Sequence, residues 1–353
     1  MPTRTSLLAA AFATAASLSA CATTSTDTAA PALPSSRPNP VVGGPGPAGA
    51  TEAVVAAADA FLATLSTEQR SQTLYDVTDP ALRRWTYFPS SGDRNGLPFG
   101  DLSDEQRAAA LGVAEAVLSN DGYAQLRGVI AAEDALRERN GSDDSVSSDR
   151  YFIALFGQPS VTDRFTVQIN GHHLAVNTTY ENSRVSPTPA FTGVDPVAFE
   201  VAGKRVEPMR DEADAVSDLL GSLNDDDRTA ARIDGVDDVL VGPANNGEFP
   251  PQSEGVLLSE LRPEQRDRVT TAVRAWVGDT DERVAEVLMD QYQAEYDRTR
   301  VAWAGSTDPD VKGAYLRIDG PRLWIEFSNV GRFDNGDLHY HSIYRDKQFD
   351  YGA

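Results

Sequence analysis

The sequence predicts an α+β domain, with antiparallel hairpins against helical layers and a pseudo-two-fold internal duplication. Three observations predict it: a helix-start phrase that recurs four times, two strand–turn–strand segments of matching pattern, and helical periodicity between them. The phrases are Leu65-Ser-Thr-Glu-Gln-Arg70, Leu102-Ser-Asp-Glu-Gln-Arg107, Leu223-Asn-Asp-Asp-Asp-Arg228 and Leu261-Arg-Pro-Glu-Gln-Arg266, separated by 37, 121 and 38 residues. In three of them Ser66, Ser103 or Asn224 can cap free amides; in the fourth, Pro263 suits the first helical position. Acids fill the first turn, where the helix dipole favours them. Two pairs at nearly equal spacing point to two similar halves, residues 55–205 and 206–353, within one domain spanning 51–353.

Apolar residues recur at three and four spacings over Thr51–Leu65, Asp104–Leu118, Asp211–Leu220, Glu264–Val277 and Asp281–Tyr296, each predicting a helix. The hairpins are Phe165-Thr-Val-Gln-Ile-Asn-Gly-His-His-Leu-Ala-Val-Asn177 and Ala314-Tyr-Leu-Arg-Ile-Asp-Gly-Pro-Arg-Leu-Trp-Ile-Glu326. Asn170-Gly171 and Asp319-Gly320 read as two-residue turns. That register sets Ile169 opposite His172, Val167 opposite Leu174 and Phe165 opposite Val176. His173 then falls on the polar face with Thr166, Gln168, Ala175 and Asn177. The segment Val185-Ser-Pro-Thr-Pro-Ala-Phe191 is marked as a loop by its prolines.

The N-terminus reads as an export segment. Arg4 precedes an apolar stretch, Leu7 to Leu18, too short to remain as a membrane span. It ends in Leu18-Ser-Ala-Cys21, which resembles the lipobox of bacterial lipoproteins. That resemblance implies a signal peptide over 1–20, lipidation of Cys21 and attachment to a membrane. Ala22, where aspartate would retain the protein at the inner membrane, then implies the outer membrane of the cell envelope. The alternative is an ordinary signal peptide with an incidental cysteine. Residues 21–50, rich in Ala, Pro, Ser, Thr and Gly, cannot bury enough surface to offset their ordering entropy and read as a disordered tether. Cys21 is the only cysteine, so no intramolecular disulfide forms and the core alone holds the fold. With 53 acidic and 31 basic residues the net charge is −22, which repels polyanions and argues against nucleic acid as a partner. A small-molecule substrate is compatible with this charge, and the oligomeric state is not fixed by the sequence.

The four histidines form two tight groups, His172–His173 and His339–His341. In an extended segment His339 and His341 share a face, an H-x-H arrangement common in strand-built metal sites. His173, His339 and His341 are therefore the candidate ligands of one divalent metal, with His172 as a buried or supporting histidine. Zinc heads the list because the set needs no sulfur; copper is the second choice, and imidazole also suits iron and nickel. The later hairpin sets Tyr315, Arg317, Arg322, Trp324 and Glu326 on the matching face, so Glu326 is the candidate fourth ligand or general base. The plain alternatives are polar packing for the histidines and a wet strand face for Glu326. The aromatic cluster Arg83-Arg-Trp-Thr-Tyr-Phe-Pro89 reads as core, while Arg94, and more weakly Arg84, can clamp an anionic group.

Absent motifs narrow the chemistry. There is no H-E-x-x-H, G-x-S-x-G, S-x-x-K or P-loop, and the one G-x-G-x-x-G, Gly44 to Gly49, lies in the tether without a preceding strand. A metal-dependent enzyme, hydrolase before oxidase, is the leading reading; a metal- or solute-binding envelope module without catalysis is the alternative, and a purely structural lipoprotein the third.

The phrases Leu65–Arg70, Arg84-Trp-Thr-Tyr-Phe-Pro89, Gly171-His-His-Leu174, Val301-Ala-Trp-Ala-Gly305 and His339-Tyr-His-Ser342 with Arg345-Asp346 together resemble a bacterial family known only as domain of unknown function 3500. They span nearly the whole domain. The resemblance implies one domain ending near the C-terminus and carries no activity. The chain departs from it at Gly331 to Asp337, where a shorter, Asn-rich approach to the H-x-H is expected.

Overall fold

The computed structural model describes residues 49–353, except 90–93, 142–144, 183, 244–247 and 332–337. The expected signal peptide over 1–20, Cys21, nearly all of the expected tether and most of the Gly331–Asp337 approach lie outside the described residues.

In chain order the first elements are α1 (Ala50–Thr64), α2 (Thr67–Thr73), β1 (Leu74–Tyr75), β2 (Leu97–Pro98), α3 (Asp104–Val117) and α4 (Asn120–Arg139). Then come β3 (Phe152–Phe156), β4 (Phe165–Gly171), β5 (Leu174–Glu181), β6 (Arg184–Ser186), β7 (Ala190–Val194), β8 (Phe199–Val201) and β9 (Lys204–Val206). The second part holds α5 (Arg210–Ser222), α6 (Asp225–Ala231), β10 (Val256–Leu257), α7 (Pro263–Val277), α8 (Glu282–Gln293), β11 (Arg300–Ala304), β12 (Tyr315–Asp319), β13 (Leu323–Asn329) and β14 (Tyr340–Asp346). The protein is α+β. The four phrases start α2, α3, α6 and α7, with Ser66, Ser103 and Asn224 accepting from the amides of Gln69, Gln106 and Asp227, and Pro263 in the first turn.

Among the described residues twelve strands form one sheet, its main path running β1-β3-β4-β5-β7-β14-β13-β12-β11-β10, antiparallel except for β1 against β3. One face carries Ile153, Val167, Ile169, Val176, Ile318 and Ile325 and buries them against the helices. The other carries Phe156, Ala175, Phe191, Trp324 and Ile343 and is covered by loops through Leu82, Trp85, Tyr87, Val239 and Val241. Period-two alternation places apolar residues on both faces, so the strands are buried on both sides.

The sheet's middle is the antiparallel pair β7–β14. Several contacts on one side of this seam recur on the other. Gln106 Nε2 donates to Thr64 O at 2.9 Å and bonds the Gln69 amide; Gln265 Nε2 donates to Ser222 O at 3.1 Å and to Asp227 at 2.8 Å. Leu74 after α2 pairs in parallel with Leu155, as Arg232 after α6 does with Trp303. Gly193 N donates to His173 O and Lys347 N to Arg322 O, both at 2.7 Å.

The first hairpin corrects the expected register. Ile169 lies opposite Val176 and Gly171 opposite Leu174, so the two turn residues are His172 and His173, not Asn170 and Gly171. Gly171 serves close approach instead: a Cβ there would sit 2.6 Å from the Tyr151 ring, whose hydroxyl donates to His172 O. The slip is an even number of residues, so the faces survive it. In the second hairpin Asp319 pairs with Trp324, and Arg322 lies in the turn rather than on the strand face. Its guanidinium reaches Asp346 at 2.6 Å and Gln291 at 2.5 Å.

Candidate metal centre

The β4–β5 turn puts His173 at the rim of the sheet, in the left-handed region at φ 64°. A non-glycine residue there is uncommon, and such backbone concentrates at functional sites. The position is fixed from both sides, because His173 N donates to Tyr87 O at 3.4 Å and its carbonyl accepts from Gly193 N.

His341 on β14 lies opposite Gly193 on β7 and Ser328 on β13. His339 precedes the strand, its carbonyl accepting from Val330 N at 2.8 Å. Gly193 lets these groups meet: a Cβ would stand 2.9 Å from His341 Cδ2, 2.9 Å from Tyr340 O and 3.1 Å from His173 Cδ2. Side-chain contacts under 3 Å force a shift, and here a backbone oxygen blocks one.

The structure brings His173, His339 and His341 together, all buried, with one ligand nitrogen from each within 4.8 Å of the others. His173 Nε2 is 2.8 Å from His339 Nε2, and ring centroids are 4.5 Å apart for His339–His341 and 5.5 Å for His173–His341. His341 Nδ1 bonds Asp238 at 2.7 Å, while its Nε2 is buried with no hydrogen-bond partner. A ring nitrogen held by a carboxylate, with the other left as a bare lone pair, is how metal-ligating histidines are prepared. Burial, then His172, drives the His173 imidazolium down to about 3, so this ring is neutral and able to coordinate at ordinary pH.

Glu133 on α4 faces the same turn. Its carboxylate is 2.9 Å from His172 Nδ1 and 3.3 Å from His173 Nδ1. Burial opposes its ionisation, yet His172 and His173 together hold the carboxyl below its usual range. Glu133, His172 and His173 form a second group whose ligand atoms converge. The Tyr87 ring stands edge-on to His341 at 5.1 Å and stacks on Phe191 at 4.0 Å, its hydroxyl 3.4 Å from Asp238.

Glu326 is not among either group. Oε1 accepts from Leu240 N and the Tyr315 hydroxyl, both at 2.7 Å; Oε2 accepts from Val241 N at 3.1 Å and Trp324 Nε1 at 2.7 Å. Arg94 is buried, donating to Phe88 O at 2.5 Å, which ties it to the backbone after Tyr87. Sequence reasoning missed Glu133, Asp238, Tyr87 and Gly193. For Glu133 a signal existed: with Leu126, Val129, Ile130 and Leu136 it lies on the buried stripe of α4, where a lone acid is out of place.

The fold and the site define an α+β protein with a buried histidine–carboxylate cluster able to hold a metal ion. The chain belongs to the family described as Protein of unknown function (DUF3500), whose profile matches residues 48–353. Comparison with curated proteins and with solved structures finds no match. Among the described residues no helix is long and apolar enough to cross a membrane.

Proposed function

We propose that this chain is a cell-envelope lipoprotein whose domain holds a divalent ion on His173, His339 and His341 and uses it to hydrolyse an external small molecule. The observation that carries the metal reading is His341: Nδ1 held by Asp238, Nε2 buried and bare beside two other imidazoles. Three imidazoles match zinc with a fourth position for water, whose pKa the ion lowers; copper, iron and nickel share the same donors. The deep burial of all three ligands favours a second reading, a closed metal-binding module without catalysis.

Metal analysis of the purified full-length chain after zinc supplementation tests the centre. At least one zinc per chain is expected, and His341→Ala should lower zinc affinity at least 100-fold. A wild-type chain without stoichiometric zinc, copper, iron or nickel would refute it. Substituting cobalt separates the two readings. A visible spectrum that shifts on adding azide means an open position and supports the enzyme; an unmoved spectrum supports the closed module.

The envelope assignment rests on Leu18-Ser-Ala-Cys21. Cys21→Ser should move the protein from the membrane pellet to the soluble fraction, and unchanged partition would end that assignment. The matched contacts across the β7–β14 seam support descent of the two halves from one duplicated unit. On that reading Arg322, paired with Asp346, stands where the first half has His173, so the centre, which takes His173 from the first half and His339 and His341 from the second, has no pseudo-symmetric copy.

A further inference from the structure

His173 lies at the rim of the sheet, between the helical layer and the loop layer. Its Nε2 faces His339, and its Nδ1 faces Glu133 on α4. On that second side Glu133 Oε2 bonds His172 Nδ1 at 2.9 Å, while the other carboxylate oxygen lies near both rings without a hydrogen bond. Glu133 Oε1 is 2.9 Å from His172 Nδ1 and 3.3 Å from His173 Nδ1, yet neither Oε1 nor His173 Nδ1 makes a hydrogen bond. The His172 ring stacks on His173 with centroids 3.6 Å apart and planes at 27°, so both rings turn Nδ1 toward one carboxylate. Glu133 is 1% exposed, and a buried carboxylate oxygen without a donor calls for a compensating cation.

We propose that His173 bridges two metal ions, Nε2 binding the ion shared with His339 and His341, and Nδ1 binding a second ion shared with Glu133 and His172. This rests on the histidine-centre reading above and extends it. Binding of the second ion displaces the one N–H proton of the neutral His173 ring. That proton leaves to solvent, the ring becomes an imidazolate with a lone pair on each nitrogen, and no electron is transferred. The charges of the imidazolate and the Glu133 carboxylate offset those of the incoming dication. Carboxylate and imidazole together suit zinc or copper(II). The competing arrangement has Glu133 accept the His173 N–H and merely orient the ring.

The test titrates the chelator-stripped full chain with zinc, then separately with copper(II). Two equivalents are expected, the second accompanied by proton release. Glu133→Gln and His172→Ala should each abolish the second equivalent and spare the first. With copper, the electron-spin-resonance intensity gained at the first equivalent should fall as the second binds, because a bridging imidazolate couples the two spins antiferromagnetically. A single equivalent in the wild-type chain overturns the bridge while leaving the three-histidine centre standing. So does a second equivalent that both variants retain, or one whose spins add without coupling. No binding at all refutes the centre itself. His172 is partly exposed in a turn, so His172→Ala keeps the test decisive if Glu133→Gln does not fold.

Discussion

Replacing Glu326 with alanine is expected to destabilise the domain by about 4 kcal/mol or more, a large part of the roughly 5–15 kcal/mol that holds a typical domain. The carboxylate is wholly buried, and each of its oxygens accepts two hydrogen bonds. Its truncation strands the Leu240 and Val241 amides, the Tyr315 hydroxyl and the Trp324 indole N–H inside the protein, each at about 1–3 kcal/mol. A carboxylate with all four lone pairs engaged has none to offer an ion, which makes Glu326 an anchor for the 238–241 loop. That loop carries Asp238, which holds His341 Nδ1, so metal affinity should fall along with stability although no ligand is changed. Urea unfolding of both proteins, followed by zinc titration under conditions where both are folded, reads the two effects. A loss below about 1 kcal/mol would show that the loop detaches cheaply and that the anchor reading is wrong.

The helices were legible because their signals are local. Ser66, Ser103, Asn224 and Pro263 mark starts whatever the tertiary context, and apolar spacing gives the rest. The hairpin register was not, because Asn-Gly competes with an interaction the local sequence does not show. Tyr151 packs where a side chain at 171 would stand, and Tyr87 O and Gly193 N fix His173 as a turn residue in the left-handed region. The pairing moved by an even number of residues, so the face assignment of Thr166, Gln168 and Asn177 outlived a wrong register. The two histidine groups were legible from their clustering alone. Their carboxylate partners come from α4 and from the loop before β10, positions set only when the helical layer and the loop layer close on opposite faces of the sheet. Glu326 illustrates the converse. Its alternation on the strand was read correctly, but what fills the space above that face, the 240–241 backbone with Tyr315 and Trp324, has no local signature.

Stability is expected to fall as pH rises from about 5 to 8, with Glu212 in the first turn of α5 as a principal cause. Burial is the largest influence on this carboxyl and pushes it from 4.5 up to about 7, with Asp211 adding to the rise; a hydrogen bond from Gln125 and a backbone amide oppose it. The carboxyl's Oε2 is buried without a partner, so ionisation puts charge where nothing receives it. In the unfolded chain Glu212 ionises near 4.5, whereas in the folded protein it holds its proton to about 7. Between these values the folded state binds more protons, and stability drops with pH. The contribution is fully present below 4.5 and is lost as pH rises through 7; a shift of this size is worth about 3 kcal/mol. Asp279, on the same groove beside Asp121 and Asp211, is also pushed up, by burial and then by Glu212. The slope therefore belongs to the pair rather than to either residue. Glu212→Gln keeps the shape, cannot ionise and removes the charge that raises Asp279. Urea unfolding at pH 5 and pH 8 should show the wild-type chain losing roughly 2–3 kcal/mol across the interval. The variant should lose less, keeping only the part that burial and the remaining acids give Asp279, and be the more stable protein at pH 8. Equal losses in both proteins would place the titrating group elsewhere.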